Sequence, residues 1–238
     1  MSVKTLTING ELISARAGDT ILQAAKDNGI YIPTLCHLEG LSDIGACRMC
    51  MVEVEGINKL LSACVTEVAE GMVVATNTEK LKEYRRMNME LIFAEGNHTC
   101  AVCVANSNCE LQDTAVAVGM EHTRFSYRFP DRGVDLSHPQ FGIDRNRCIL
   151  CTRCVRVCDE IEGAHVWDIA NRGEEAEIVS GLNQPWGEVD ACTACGKCVN
   201  ACPTGAISYK GSSVAVMQRD RGRIPFLAAA REKQQWTR

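Results

Sequence analysis

The sequence predicts an α+β chain built from small domains, and three observations carry that prediction. An Asn9-Gly10 dipeptide joins two β-type runs and is followed by a stretch with helical spacing. Residues 79–95 read as one unbroken amphipathic helix. Fifteen cysteines, about one residue in sixteen of the 238, stand in tight local groups, and the last two groups repeat one spacing.

In chain order, VKTLTI, Asn9-Gly10 and ELISA spell a hairpin. A helix follows over TILQAAKDN, with Asp19 as its expected N-cap and Gly29 where the chain must leave the helix. After a cysteine-bearing loop, MVEVEG, KLLSACVTEV and GMVVATN read as further strands. One helix against a small mixed sheet makes residues 1–78 a β-grasp domain. The helix EKLKEYRRMNMELIFAE ends at Gly96 and delivers the chain to NHTCAVCVANSNC, from which a shorter helix, ELQDTAVAVGM, departs. Residues 79–120 are therefore expected to form a small helical domain. The stretch 121–147 is rich in Pro, Gly and Arg and is expected to be a connector without strong secondary structure. In the region 121–210, CILCTRCVRVCDEIEGAHV at 148–166 and CTACGKCVNACPTGAIS at 192–208 share C-x2-C-x2-C-x3-C, then a Gly-Ala pair entering an apolar strand, with starts 44 residues apart.

Composition narrows the function. A net charge of −5 argues against nucleic-acid binding, which calls for a basic domain or face. Residues 1–78 carry five basic against nine acidic residues, whereas 215–238 carry six against two, so 211–238 is a basic extension expected to form a solvated or docking helix. MSVKTLTING has no secretory pattern, and no apolar run approaches the roughly 18 residues of a membrane span. A soluble, cytoplasmic protein with reduced thiols is expected.

Zinc and iron–sulfur clusters then compete for the cysteines. Three thiolates at C-x2-C-x2-C spacing wrap three corners of one iron–sulfur cube, and the fourth cysteine of each run serves the other cube in the two-cluster bacterial pattern. That assigns Cys148, Cys151, Cys154 and Cys202 to one [4Fe-4S] cluster and Cys192, Cys195, Cys198 and Cys158 to a second. Pro203 after Cys202 matches the bacterial ending; Asp159 after Cys158 departs from it. A structural zinc module would have to choose among overlapping tetrahedral sets, whereas two cubes use all eight thiolates. Cys36, Cys47, Cys50 and Cys64, spaced C-x10-C-x2-C-x13-C on the β-grasp, suit one [2Fe-2S] cluster, with Gly45 and Ala46 leaving room for backbone beside sulfide. Cys100, Cys103 and Cys109 remain, one ligand short of a third cube. His98 is the candidate for the missing corner, and an open or water-bound corner is the alternative. His37, His122, His138 and His165 have no comparable argument, and Arg48, Arg153 and Lys197 read as packing, solvated or interface groups.

Fifteen cysteines and one histidine supply sixteen ligands, enough for four clusters. No G-x-G-x-x-G loop, P-loop or Ser/His/Asp order accompanies them, so the chain is expected to conduct electrons and leave substrate chemistry to partners.

This order of sites resembles the N-terminal iron–sulfur region of the large iron–sulfur subunit of complex I and of iron-only hydrogenases. Those families continue into a further domain, while this chain stops about thirty residues after the repeat. At this length it is similar to the diaphorase small subunits of bidirectional NAD(P)-linked nickel–iron hydrogenases. The resemblance implies a flavin- and NAD(P)-binding diaphorase partner and hydrogenase subunits, with an NAD-linked formate dehydrogenase or complex I-like enzyme as the alternative setting. One departure is visible. The related families place three residues between the histidine and the first cysteine of the knot, and His98-Thr99-Cys100 has one.

Overall fold

The computed structural model describes residues 2–233, which fall into two compact units. One comprises the chain up to His37 with Asp43–Leu91 and Thr114–Thr123; the other comprises Leu38–Ser42, Ile92–Asp113 and the chain from Arg124 onward.

In the first unit, β1 (Val3–Ile8) and β2 (Glu11–Arg16) form the expected hairpin, with Val3 opposite Arg16 and Ile8 opposite Glu11. Asn9 and Gly10 both take positive φ, 53° and 87°, as a two-residue turn of this hand requires. α1 (Ile21–Asp27) is capped by Thr20, whose hydroxyl accepts from the Gln23 amide at 3.2 Å. Asp19 was the expected cap, but its carboxylate is taken by the Arg16 amide at 2.8 Å in the turn that precedes the helix. The cap therefore falls one residue later.

β3 (Met51–Val54), β4 (Leu61–Ser62) and β5 (Val73–Ala75) complete a five-stranded sheet in the order β2-β1-β5-β3-β4, with β1 parallel to β5 and the other pairs antiparallel. Leu6, Ile8, Ile21, Ala25, Val52 and Val74 are buried where α1 covers the sheet. This is the β-grasp arrangement. Of KLLSACVTEV only Leu61–Ser62 is strand, because the chain turns there and Ala63 exchanges bonds with Cys50 and Leu22.

α2 (Glu79–Glu95) has the expected bounds and buries Leu81, Arg85 and Met89, one position per turn. α3 (Glu110–Ala117) is the expected second helix.

The second unit corrects the connector. Inside 121–147 lie β6 (Val134–Asp135) and β7 (Phe141–Asp144), and β7 is the central strand of an antiparallel sheet whose other edge is β10 (Ile207–Tyr209). Phe141 and Ile143 are buried on it. Strands this short give too few residues for alternation to be read, and their register comes from a partner more than sixty residues away. β8 (Trp167–Ala170) pairs with β9 (Glu177–Ser180) in a separate hairpin. Both Gly-Ala pairs of the repeat thus lead into strands, β8 and β10. Short helices α4 (Arg153–Arg156) and α5 (Lys197–Ala201) carry the third cysteine of each run.

The basic extension forms α6 (Arg223–Glu232); residues 234–238 of it lie outside the described residues. Gly40, at φ 87°, lies so close to this helix that a Cβ would meet Pro225 Cα at 2.7 Å and Ala228 Cβ at 3.1 Å. Gly40→Ala therefore meets both left-handed strain and rigid backbone, at a cost of about 1–3 kcal/mol. Amide exchange within 223–232 should accelerate by at least about tenfold, as read by hydrogen–deuterium exchange mass spectrometry. Unchanged protection there would show that α6 is not seated on Gly40.

Candidate metal centres

All sixteen candidate ligands lie within the described residues, and each set is collected on short local elements. In the first unit Cys36, Cys50 and Cys64 are buried and Cys47 is half-buried. The Sγ atoms of Cys50 and Cys64 are 3.4 Å apart, and the Cys36 amide points at Cys47 Sγ, also at 3.4 Å. Hydrogen bonding from Cys47 and Cys64 holds the Cys36 thiol well below its ordinary range, while the same contact with Cys36 pushes Cys47 and Cys64 up. Sulfurs as close as those of Cys50 and Cys64 cannot both ionise unless positive charge is supplied beside them. Gly45 and Arg48, at φ 62° and 56°, curl the backbone around Cys47. Buried Arg85 of α2 pins this loop by donating to the carbonyls of Met49 at 3.0 Å and Met51 at 2.7 Å.

The second unit contains three small cavities of matching size, about 20 Å³ each, and each is lined by one predicted ligand set. One is walled by His98, Cys100, Cys103 and Cys109. A second is walled by Cys148, Cys151, Cys154 and Cys202. The third is walled by Cys158, Cys192, Cys195 and Cys198. The last cysteine of each run therefore faces the cavity of the other run.

Local backbone explains how a single loop wraps a cavity. Leu150 and Thr152 lie between the first three cysteines of one run, Ala194 and Gly196 between those of the other, and all four have positive φ of 52° to 69°. The pairs are offset by the same 44 residues as the repeat. Left-handed residues at alternate positions turn successive amides to one side, a concave nest for anions such as sulfide and thiolate. The Leu150 amide reaches Cys148 Sγ at 3.4 Å.

The two runs then diverge. Pro203 follows Cys202, and α5 stops at Ala201. No proline follows Cys158, so the helix continues past it as a wide turn, Val157–Glu162, closed by Gly163 at φ 75°.

Burial pushes Cys148 up to about 12 and Cys151 up to about 11, so these thiols ionise only when a metal takes the charge. His98 is pushed down to about 4, chiefly by burial and then by Arg147, and its imidazole is neutral at physiological pH. Its Nε2 is buried without a hydrogen-bond partner. A basic ring nitrogen left unpaired beside three cysteines is what an iron site requires of a fourth donor. The short His98-Thr99-Cys100 link is accommodated by consecutive tight turns, in which Thr99 bonds Asn97 O at 3.1 Å and Cys100 bonds His98 O at 2.9 Å. Donor sets and cavities together fit iron–sulfur clusters.

Other residues at these sites were not legible beforehand. Arg153 is fully buried and makes a bidentate pair with Glu110, both bonds at 2.8 Å, and Arg221 reaches the same carboxylate at 2.5 Å. This joins the Cys151–Cys154 loop to the residue after Cys109. His138 is buried against Phe141 and Trp186 beside Cys192. His37 is held by Asp43 at 2.8 Å, and Lys197 pairs with Glu162.

Comparisons with known proteins agree with this geometry. Residues 3–79 match a 2Fe-2S iron–sulfur cluster binding domain, 85–124 the NADH-ubiquinone oxidoreductase-G iron–sulfur binding region, and 139–208 the ferredoxin-like domain of NADH-quinone oxidoreductase subunit 3. The gamma subunit of the NAD-reducing hydrogenase HoxS of Cupriavidus necator is 37% identical over 88% of this chain and 88% of its own length. The chain belongs to this hydrogenase gamma-subunit family. In a crystal structure of an NAD+-reducing [NiFe]-hydrogenase in the H2-reduced state, one chain superposes with a TM-score of 0.85 at 33% identity, covering 98% of this chain and 99% of that one. The alpha subunit of the NADPH-Fe(3+) oxidoreductase of Geobacter sulfurreducens is 40% identical over 87% of this chain, which spans only 24% of that relative's length. Gamma-family membership thus brings a [2Fe-2S] domain and [4Fe-4S]-binding domains within an iron–sulfur electron-transfer subunit. Among the described residues no helix is long and apolar enough to cross a membrane.

The buried ion pair makes an asymmetric prediction. Glu110→Gln removes the carboxylate shared by Arg153 and Arg221 and should destabilise the second unit by about 3 kcal/mol, whereas Arg153→Met keeps the Glu110–Arg221 pair and should cost less. Denaturant unfolding followed by near-ultraviolet circular dichroism checks the order of the two variants.

Proposed function

We propose that this chain is the relay subunit of an NAD(P)-linked nickel–iron hydrogenase, passing electrons between a flavin- and NAD(P)-binding diaphorase subunit and the hydrogenase subunits in the cytoplasm. The observation that carries this reading is the set of three similar cavities, each walled by four candidate donors, together with a fourth, largely buried cysteine set. Cys36, Cys47, Cys50 and Cys64 would hold a [2Fe-2S] cluster. Three [4Fe-4S] clusters would be held by His98 with Cys100, Cys103 and Cys109; by Cys148, Cys151, Cys154 and Cys202; and by Cys158, Cys192, Cys195 and Cys198. We assign these to segments 1–78, 79–120 and 121–210, with 211–238 as the basic extension.

When bound, such clusters supply one-electron exchange with little atomic rearrangement. The chain's own residues exclude water by burying most of the thiols, orient amides through the left-handed loop positions, and supply one uncharged donor at His98. Its unpaired Nε2 favours the histidine over an open corner. The similarity to a hydrogenase gamma subunit over nearly the whole of both chains favours the hydrogenase setting over formate dehydrogenase or a complex I-like enzyme.

Purified anaerobically, the protein should be brown, bleach on dithionite and contain about fourteen irons per chain; zinc in place of iron would end the relay reading. Copurification should bring down diaphorase and hydrogenase subunits, and Cys195→Ser should abolish hydrogen-dependent NAD(P) reduction while the complex still assembles. A Cβ at Gly205 would collide with Cys103 Sγ. Gly205→Ala should therefore remove about four irons per chain, measured by metal analysis. In the wild type, pulsed EPR should show imidazole nitrogen coupled to one cluster, and His98→Ala should lose it.

A further inference from the structure

The cysteine repeat encloses two cavities with different walls. Around Cys148, Cys151, Cys154 and Cys202 the lining is aliphatic, with Ile143, Ile149, Ile178 and Ile207. Around Cys158, Cys192, Cys195 and Cys198 it includes Phe141, Trp167 and Trp186. These rings, with His138, form one packed group. Trp186 lies 4.6 Å from Trp167, 4.8 Å from His138 and 5.4 Å from Phe141, measured between ring centroids.

The Trp186 indole meets a cluster-facing sulfur. Trp186 Nε1 donates to Cys192 Sγ at 3.4 Å, and Trp167 lines the same cavity. His138 Nε2 is 3.8 Å from Cys192 Sγ, and the Val166 amide donates to Cys158 Sγ at 3.4 Å. Trp186 is 1% exposed, and its own amide is fixed to Asp135 Oδ2 at 2.7 Å. A buried indole N–H needs an acceptor, and here that acceptor is a thiol sulfur. The donor cannot swing away and solvent does not compete with it.

Reduction adds an electron to a cluster whose thiolates already make it negative. An N–H dipole aimed at sulfur stabilises the more reduced state and raises the potential. We infer that Trp186 is a positioning residue whose indole N–H group raises the reduction potential of the cluster held by Cys158, Cys192, Cys195 and Cys198 above the value its ligands alone would set. This inference rests on the cluster reading above and concerns one of the four sites. His138 and Phe141 hold the Trp186 ring at its angle.

The test is an EPR-monitored redox titration of the holoprotein carrying Trp186→Phe, which keeps a ring in the packed group and deletes the N–H. One [4Fe-4S] midpoint should move to more negative potential, with bound iron unchanged and the other midpoints unmoved. Midpoints that all coincide with wild type would overturn the inference, because a purely structural role predicts no cluster-specific shift. If Trp186→Phe loses its cluster, wild-type protein labelled with 15N-indole tryptophan replaces it. Pulsed EPR of the reduced protein should then show 15N coupling that vanishes in Cys195→Ser, and no coupling would refute the proposal. Wild-type protein without iron would instead defeat the underlying cluster reading, so the two failures are distinguishable.

Discussion

Negative charge on crowded sulfur is the constraint around which this chain is arranged. Fifteen cysteines in 238 residues, most of them buried, would be an expensive concentration of ionisable groups in any fold that kept them metal-free. Burial pushes thiols such as Cys148 and Cys151 upward, and proximity pushes Cys47 and Cys64 upward as well. Iron, when bound, would reverse that by supplying the positive charge that lets the same sulfurs ionise. The surrounding features serve this exchange: left-handed residues turn amides toward sulfur, and buried arginines pin the loops. His98 lines its cavity with an uncharged ring where the other two cavities have a fourth thiol.

Arginine has two uses here that its surface preference conceals. Arg85 binds carbonyls around the Cys47–Cys50 loop from within α2, and Arg153 sits between two cysteines of its run with its charge answered by Glu110. Both are too well hydrogen-bonded to behave as isolated buried charges. Their work is mechanical, holding short loops that have little regular structure of their own.

The sequence made much of this legible where local chemistry decides the outcome. Asn9-Gly10 specified its turn, the 79–95 periodicity specified α2 with its bounds, and the run spacing brought Cys158 and Cys202 to opposite cavities as the bacterial pattern implies. It was less legible where long-range partners decide. Thr20 displaced Asp19 as cap because Asp19 was engaged by Arg16, and β7 escaped notice because four residues acquire strand character only beside β10. His138, Trp167 and Trp186 gave no signal as a group, since nothing local indicates that residues from 138 to 186 share one wall with Cys192.

The crossing of the fourth cysteines also decides whether either half of the repeat is a module in its own right. Neither run can close its own cavity: Cys202 must arrive from the second before the first is complete, and Cys158 must be offered back in return. The two halves of the repeat thus share their walls, and the 33 residues between Cys158 and Cys192 act as a tether that keeps each half within reach of the other.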